Sequence, residues 1–199
     1  AGPNSTTQAV FNAPYTSSGN LTACSVVVSA TAGTVTFNAG HTLTVQNGVT
    51  VDNASRLIFN NNSSLVQVNG TTNVGDITYR RTSTGMRKYD YTYWSSPVSA
   101  QILATFSPLT MADKYFWFNT TTYQWTAVTA PGSTPMTVGR GYIIRAPESF
   151  STGSTTPFNG SFGYDGITHG GGVPNHGTIP VAVGHNSGTF DLDCIGNPY

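Results

Sequence analysis

The sequence predicts an all-β protein: a short parallel β-helix or solenoid followed by a β-sandwich-like domain. Three observations carry that reading. Charged residues make up 8% of the 199 positions, against roughly 25% in ordinary domains. Glutamate occurs once and lysine twice, so strong helix formers are scarce, while Thr, Val, Asn, Ser and Gly, the residues of strands and turns, dominate. Short alternating apolar runs recur at a fixed step before position 80, and the aromatic residues, 12% of the chain, gather after Arg87.

Residues 1–23 mix Pro, Asn, Ser, Thr and Gly and read as an irregular lead-in that caps the repeats after it. From 24 to 80 the runs are Val26–Val28, Val35 with Phe37, Leu43 with Val45, Val49 with Val51, Leu57 with Phe59, and Leu65–Val68. Turn signals separate them: Ala32-Gly33, Ala39-Gly40, Asn47-Gly48 and Asn60-Asn61-Asn62. Val27 to Val49, Val35 to Leu57, Leu43 to Leu65 and Leu57 to Tyr79 each span 22 positions. Three short strands and three corners fill that length, which is one coil of a right-handed parallel β-helix. Asn at 60–62 suits a tight corner, because Asn tolerates the left-handed conformation. A shift of 14 also pairs Val35 with Val49 and Leu43 with Leu57, so an antiparallel meander is the rival.

The second domain, 81–199, opens on Arg87–Val98. Tyr89, Tyr91 and Tyr93 alternate with polar residues, placing three rings on one face of a strand, and Pro97 ends it. Ile102, Leu103 and Phe106 fit a helical turn. Tyr115–Phe118 and Tyr123–Val128 form an aromatic hairpin across the turn at Asn119–Thr122. Tyr142–Arg145 is a strand, and Phe158–Tyr164, Gly177–Val183 and Thr189–Ile195 read as further strands. Tyr89–Pro97 lines up with Phe190–Pro198 at a constant offset of 101. That echo predicts a second repeat starting near 189 and cut short.

Composition also excludes. Lys and Arg total 8, Asp and Glu 8, so there is no basic footprint for nucleic acid. No run of about 18 apolar residues exists, so no segment reads as membrane-spanning. Cys24 and Cys194 permit one disulfide without requiring it, and Cys194 reads as a buried free thiol.

The chain is read as non-enzymatic, with no catalytic residues, no metal and no cofactor. His169-Gly170-Gly171-Gly172 looks like an esterase oxyanion loop, but the Gly-x-Ser-x-Gly elbow it needs is missing. His41, His169, His176 and His185 lack metal-ligand spacing, and Asp191 with Asp193 supplies too few oxygens for calcium. No carboxylate pair suits glycoside cleavage. Trp94, Trp117, Trp125, Tyr115 and Tyr123 are either sandwich core or a platform for sugar rings; the glycan candidates are Trp117, Tyr123 and Trp125. Arg80, Arg81, Arg87 and Lys88 read as charges guarding a strand edge.

These residues resemble the large surface proteins that Bacteroidetes export through the type IX secretion system. The likeness lies in the order of segments: the β-helical run Gly33–Val68, then Gly75–Arg81, Met86–Val98, the hairpin Lys114–Trp125, Gly139–Arg145 and Gly196–Tyr199. The resemblance implies an exported, extracellular or cell-surface, adhesin-like protein whose partner is the type IX export machinery. The function expected is thus a non-catalytic structural or adhesive module. A carbohydrate-binding module and a filament subunit, joined to a self-associating neighbour by strand addition, are the alternatives.

Overall fold

The computed structural model describes residues 2–83, 85–150, 161–165, 172–184 and 192–199, with backbone only for 161–165. Its chain divides into two units: Ala1–Arg81 with Gly163–Thr178 and Tyr199, and Thr82–Phe162 with Ile179–Pro198.

In the first unit, alternation of Val, Leu and Phe with Thr and Ser drives strands whose apolar side chains all point inward. The first coil holds β1 (Ala9–Phe11), β2 (Tyr15–Thr16) and β3 (Leu21–Ala23). The second holds β4 (Val26–Val28), β5 (Thr34–Phe37) and β6 (Thr42–Val45), and the third β7 (Val49–Val51), β8 (Arg56–Phe59) and β9 (Ser64–Gln67). Like strands stack in parallel into three sheets, β1-β4-β7, β2-β5-β8 and β3-β6-β9. β10 (Ile77–Thr82) extends the second sheet in parallel, with β15 (Ser161–Asp165) on its other side. The antiparallel meander is therefore ruled out for this unit.

Two pairs of the expected register hold, Val35 with Leu57 and Leu43 with Leu65. Two are displaced. Val49 pairs with Val26, and Val27 faces Thr50, because the corner before β7 (46–48) is one residue longer than the corner before β4 (24–25). Leu57 pairs with Ile77, and Tyr79 lies opposite Phe59. Residues 1–23 are also not a mere lead-in: they form a full coil, with Ala9 opposite Val26, Tyr15 opposite Val35 and Leu21 opposite Leu43. Strands of two or three residues among Pro, Asn and Thr leave almost no periodic signal.

Val35, Phe37, Leu43, Val45, Leu57 and Phe59 have no exposed surface. The rings of Phe37 and Phe59 stack at 5.4 Å, and those of Phe59 and Tyr79 at 4.9 Å. Corners stack too. Gly40 (φ 80°) and Asn62 (φ 64°) both take the left-handed conformation, and the Gly40 N–H donates to the Asn62 carbonyl at 3.0 Å. At another corner Asn69 Nδ2 donates to Asn47 Oδ1, and Asn47 Nδ2 donates to Cys24 Sγ, each at 3.2 Å. Cys24 and Cys194 are both free, and both are half-buried rather than buried.

Tyr79 links ladder to backbone: its hydroxyl accepts the Leu65 N–H at 2.9 Å. Burial is the main cause that pushes its phenol up to about 12 from 10. The folded state therefore holds this proton more tightly than the unfolded chain. Stability should be level in pH up to 10, fall between 10 and 12 by roughly 2–3 kcal/mol from this group, and flatten above. Denaturant titrations across that window check the slope, and Tyr79→Phe should reduce it.

Among its described residues the second unit has one antiparallel sheet, in the order β11 (Tyr91–Trp94), β14 (Tyr142–Arg145), β12 (Tyr115–Asn119), β13 (Gln124–Ala127). Its inner face lies under α1 (Leu103–Phe106) and the turns around it. Trp94 meets Phe106 edge to face at 4.8 Å. Tyr115 Oη donates to the Ser107 carbonyl at 2.6 Å, and Thr110 Oγ1 to the Arg145 carbonyl at 2.7 Å. Among the described residues this layer, not a second sheet, closes the core with Val98, Leu103, Phe106 and Met136.

Three expected strands differ. Gly177–Val183 makes none, being interrupted by Pro180 and a left-handed Gly177 (φ 68°). Of Thr189–Ile195, residues 189–191 lie outside the described residues, and from Leu192 on there is only an antiparallel bridge, Ile195 to Arg140. A second repeat from 189 is thus not formed as a strand over Leu192–Ile195. Of Phe158–Tyr164, residues 158–160 lie outside the described residues and β15 begins at Ser161.

Candidate functional site: an aromatic sheet face

Strand alternation and strand order together sort the aromatic residues of the second unit onto two faces. Across the sheet, Trp94, Tyr142, Trp117 and Thr126 lie in one row. Since Trp94 meets Phe106, that row faces inward. The neighbouring rows, Tyr93-Ile143-Phe116-Ala127 and Phe118-Trp125, face outward. Tyr91, opposite Arg145, joins them.

The outward rings form one layer. Tyr91 touches Phe116 at 6.0 Å, Tyr93 reaches Trp125 at 6.1 Å, and Phe118 meets Trp125 at 5.4 Å and Tyr123 at 6.1 Å. Tyr93 is 69% exposed, Tyr91 42% and Trp125 37%, while Phe116 and Phe118 are half-buried between them. Large rings in this number on a solvent-facing sheet are uncommon unless something is contacted.

Of the three glycan candidates, Tyr123 and Trp125 come together through Phe118. Trp117 does not: it belongs to the inward row, with the Arg140 guanidinium 4.7 Å above its ring. Adjacent positions on a strand point to opposite faces, so Trp117, opposite Thr126, lies on the other side from Trp125, opposite Phe118. Tyr91, Tyr93, Phe116 and Phe118 are the members the candidate set lacked. Their signal was the alternation at 89, 91 and 93, but joining it to the hairpin requires knowing that β14 lies between.

The face is electrically quiet. At its edge Glu148 pairs with Lys88 at 2.9 Å and with Arg145, whose guanidinium also lies 5.6 Å from the Tyr89 ring. Arg80 and Arg81 guard no edge, because β10 lies between β8 and β15. Arg81 instead donates to the Asn60 and Ser63 carbonyls and covers the Tyr79 ring at 4.6 Å.

His41 Nδ1 is engaged with Ser17 Oγ at 2.7 Å. Asp193 accepts the Gly184 N–H at 3.0 Å. His169, His185 and Asp191 lie outside the described residues, as do Gly170 and Gly171. Among the described residues, no three His, Cys, Asp or Glu side chains converge as metal ligands. No helix there is long and apolar enough to cross a membrane.

A family model described as a domain of unknown function (DUF8693) matches residues 3–199. The chain belongs to this family. Its model takes in both the β-helix and the aromatic sheet. No curated protein and no solved structure matches the chain.

Proposed function

We propose that this chain is a non-catalytic structural and adhesive module of a large secreted surface protein, exported by the type IX secretion system, and that it makes its contacts through the aromatic sheet face. The observation that carries this reading is the outward layer Tyr91, Tyr93, Phe116, Phe118, Tyr123 and Trp125. Apolar ring area is the main source of free energy in surface contact. A neutral face also avoids the desolvation cost of charge. The β-helix serves as the rigid support, since its stacked rungs bury one continuous core.

Beads coated with the chain and driven by flow over a methyl-terminated film test this. The double variant Tyr93→Ser/Trp125→Ser should be retained about tenfold less, as expected for roughly 1.4 kcal/mol lost. Equal retention would mean that the face makes no adhesive contact.

A carbohydrate-binding role is the second reading. It is favoured by Tyr93 and Trp125, the most exposed pair of touching rings in the layer, since sugar rings pack on such faces. A glycan array separates the two: wild-type binding abolished by Trp125→Ala supports sugar recognition, and no wild-type signal leaves adhesion alone.

A further inference from the structure

We infer that the two edges of the antiparallel sheet dock onto each other between copies, β13 of one molecule pairing with β11 of the next. This goes beyond adhesion to a foreign surface and does not depend on it.

The Val128 N–H donates to the Tyr115 carbonyl at 2.8 Å, and the Ala146 N–H to the Asp90 carbonyl at 2.8 Å. Antiparallel pairs alternate between bonded and non-bonded positions. So the backbone groups of Trp125 and Ala127 point away from β12, and those of Tyr91 and Tyr93 point away from β14. None of these four residues hydrogen-bonds through those groups to another described residue.

Natural edge strands are blocked by charge, proline or a bulge. Neither edge here is: β11 reads Tyr-Thr-Tyr-Trp and β13 reads Gln-Trp-Thr-Ala. The nearest charge along the chain of β11, Asp90, is turned back to accept the Arg87 N–H at 2.8 Å. A net charge of zero adds no repulsion between copies.

Strand direction selects the partner. Four strands alternate in direction, so β11 and β13 run oppositely. A second copy shifted sideways therefore sets its β11 antiparallel to β13 of the first. The register that pairs all four residues places Trp125 opposite Tyr93, Ala127 opposite Tyr91 and Thr126 opposite Thr92. It keeps outward side chains outward and inward ones inward. Such a contact joins unlike surfaces and leaves both ends open, so it propagates rather than closes. The aromatic face would run on from copy to copy.

Sedimentation over a concentration series, with electron microscopy, tests this on the 199-residue chain. Ala127→Pro removes one of the two outward N–H groups of β13, and Tyr91→Pro one of the two of β11, each without touching a bond inside the sheet. Wild type should grow in mass with concentration. Each variant alone should stay monomeric, and an equimolar mixture should give a discrete dimer and nothing larger, since one open edge of each kind remains. Wild type monomeric throughout, variants that still polymerise, or a mixture that stays monomeric would each overturn the inference. Ala127→Lys and Tyr93→Lys repeat the test with charge in place of proline, and near-UV circular dichroism confirms folding of all four variants.

Discussion

Gly75→Ala is expected to destabilise the β-helix by roughly 3–5 kcal/mol, a large share of the 5–15 kcal/mol that holds a typical domain. Gly75 precedes β10 with φ +81°, and a methyl group there would sit 1.9 Å from the Val51 carbonyl oxygen and 2.8 Å from its carbon. Both are backbone atoms in a parallel ladder, so neither can swing aside. Gly40→Ala is the matched control. It has the same hand of backbone, φ +80°, but nothing within 4 Å, so only the left-handed cost of about 1–2 kcal/mol remains. Denaturant unfolding of both variants separates collision from conformation. Equal losses would mean that the close approach at Val51 relaxes freely.

Phe59→Ala should cost about 3–5 kcal/mol. Phe59 is wholly buried and is the middle ring of the stack, 5.4 Å from Phe37 and 4.9 Å from Tyr79. Its removal leaves Phe37 and Tyr79 facing a void inside a rigid frame of backbone ladders, which cannot collapse to refill the space. Phe59→Leu keeps most of the volume and should lose less. Far-UV circular dichroism in urea reads the difference. Tryptophan fluorescence serves as the local reporter of the other unit, because Trp94, Trp117 and Trp125 all lie there.

Much of the β-helix was legible because each rung repeats the same short-range chemistry. Leu43 over Leu65 and Val35 over Leu57 follow from counting alone. Counting fails where corners differ in length. One extra residue before β7 moves Val49 from Val27 to Val26, and a period does not register a single insertion. The first coil was hidden for another reason: its rungs, such as Tyr15-Thr16, are too short to show alternation.

The aromatic face was half legible. Alternation correctly grouped Tyr91 with Tyr93, but not Tyr89, which lies in the turn closed by the Asp90 N–H on the Arg87 carbonyl before β11 begins; the hairpin at Asn119–Thr122 was plain. The grouping of Trp117 with Trp125 ignored the parity rule across the hairpin. That β14, far along the chain, separates β11 from β12 is a non-local pairing that local pattern does not encode.

The proposed contact is made by the outer aromatic layer, with the rest of the molecule as its support. Hydroxyl-radical footprinting of the chain, free and adsorbed on a methyl-terminated film, tests it directly. Adsorption should protect Tyr91, Tyr93 and Trp125 and leave the exposed β-helix side chains Val66 and Val68 as reactive as before. Protection of Val66 and Val68 with Tyr93 and Trp125 unchanged would contradict it.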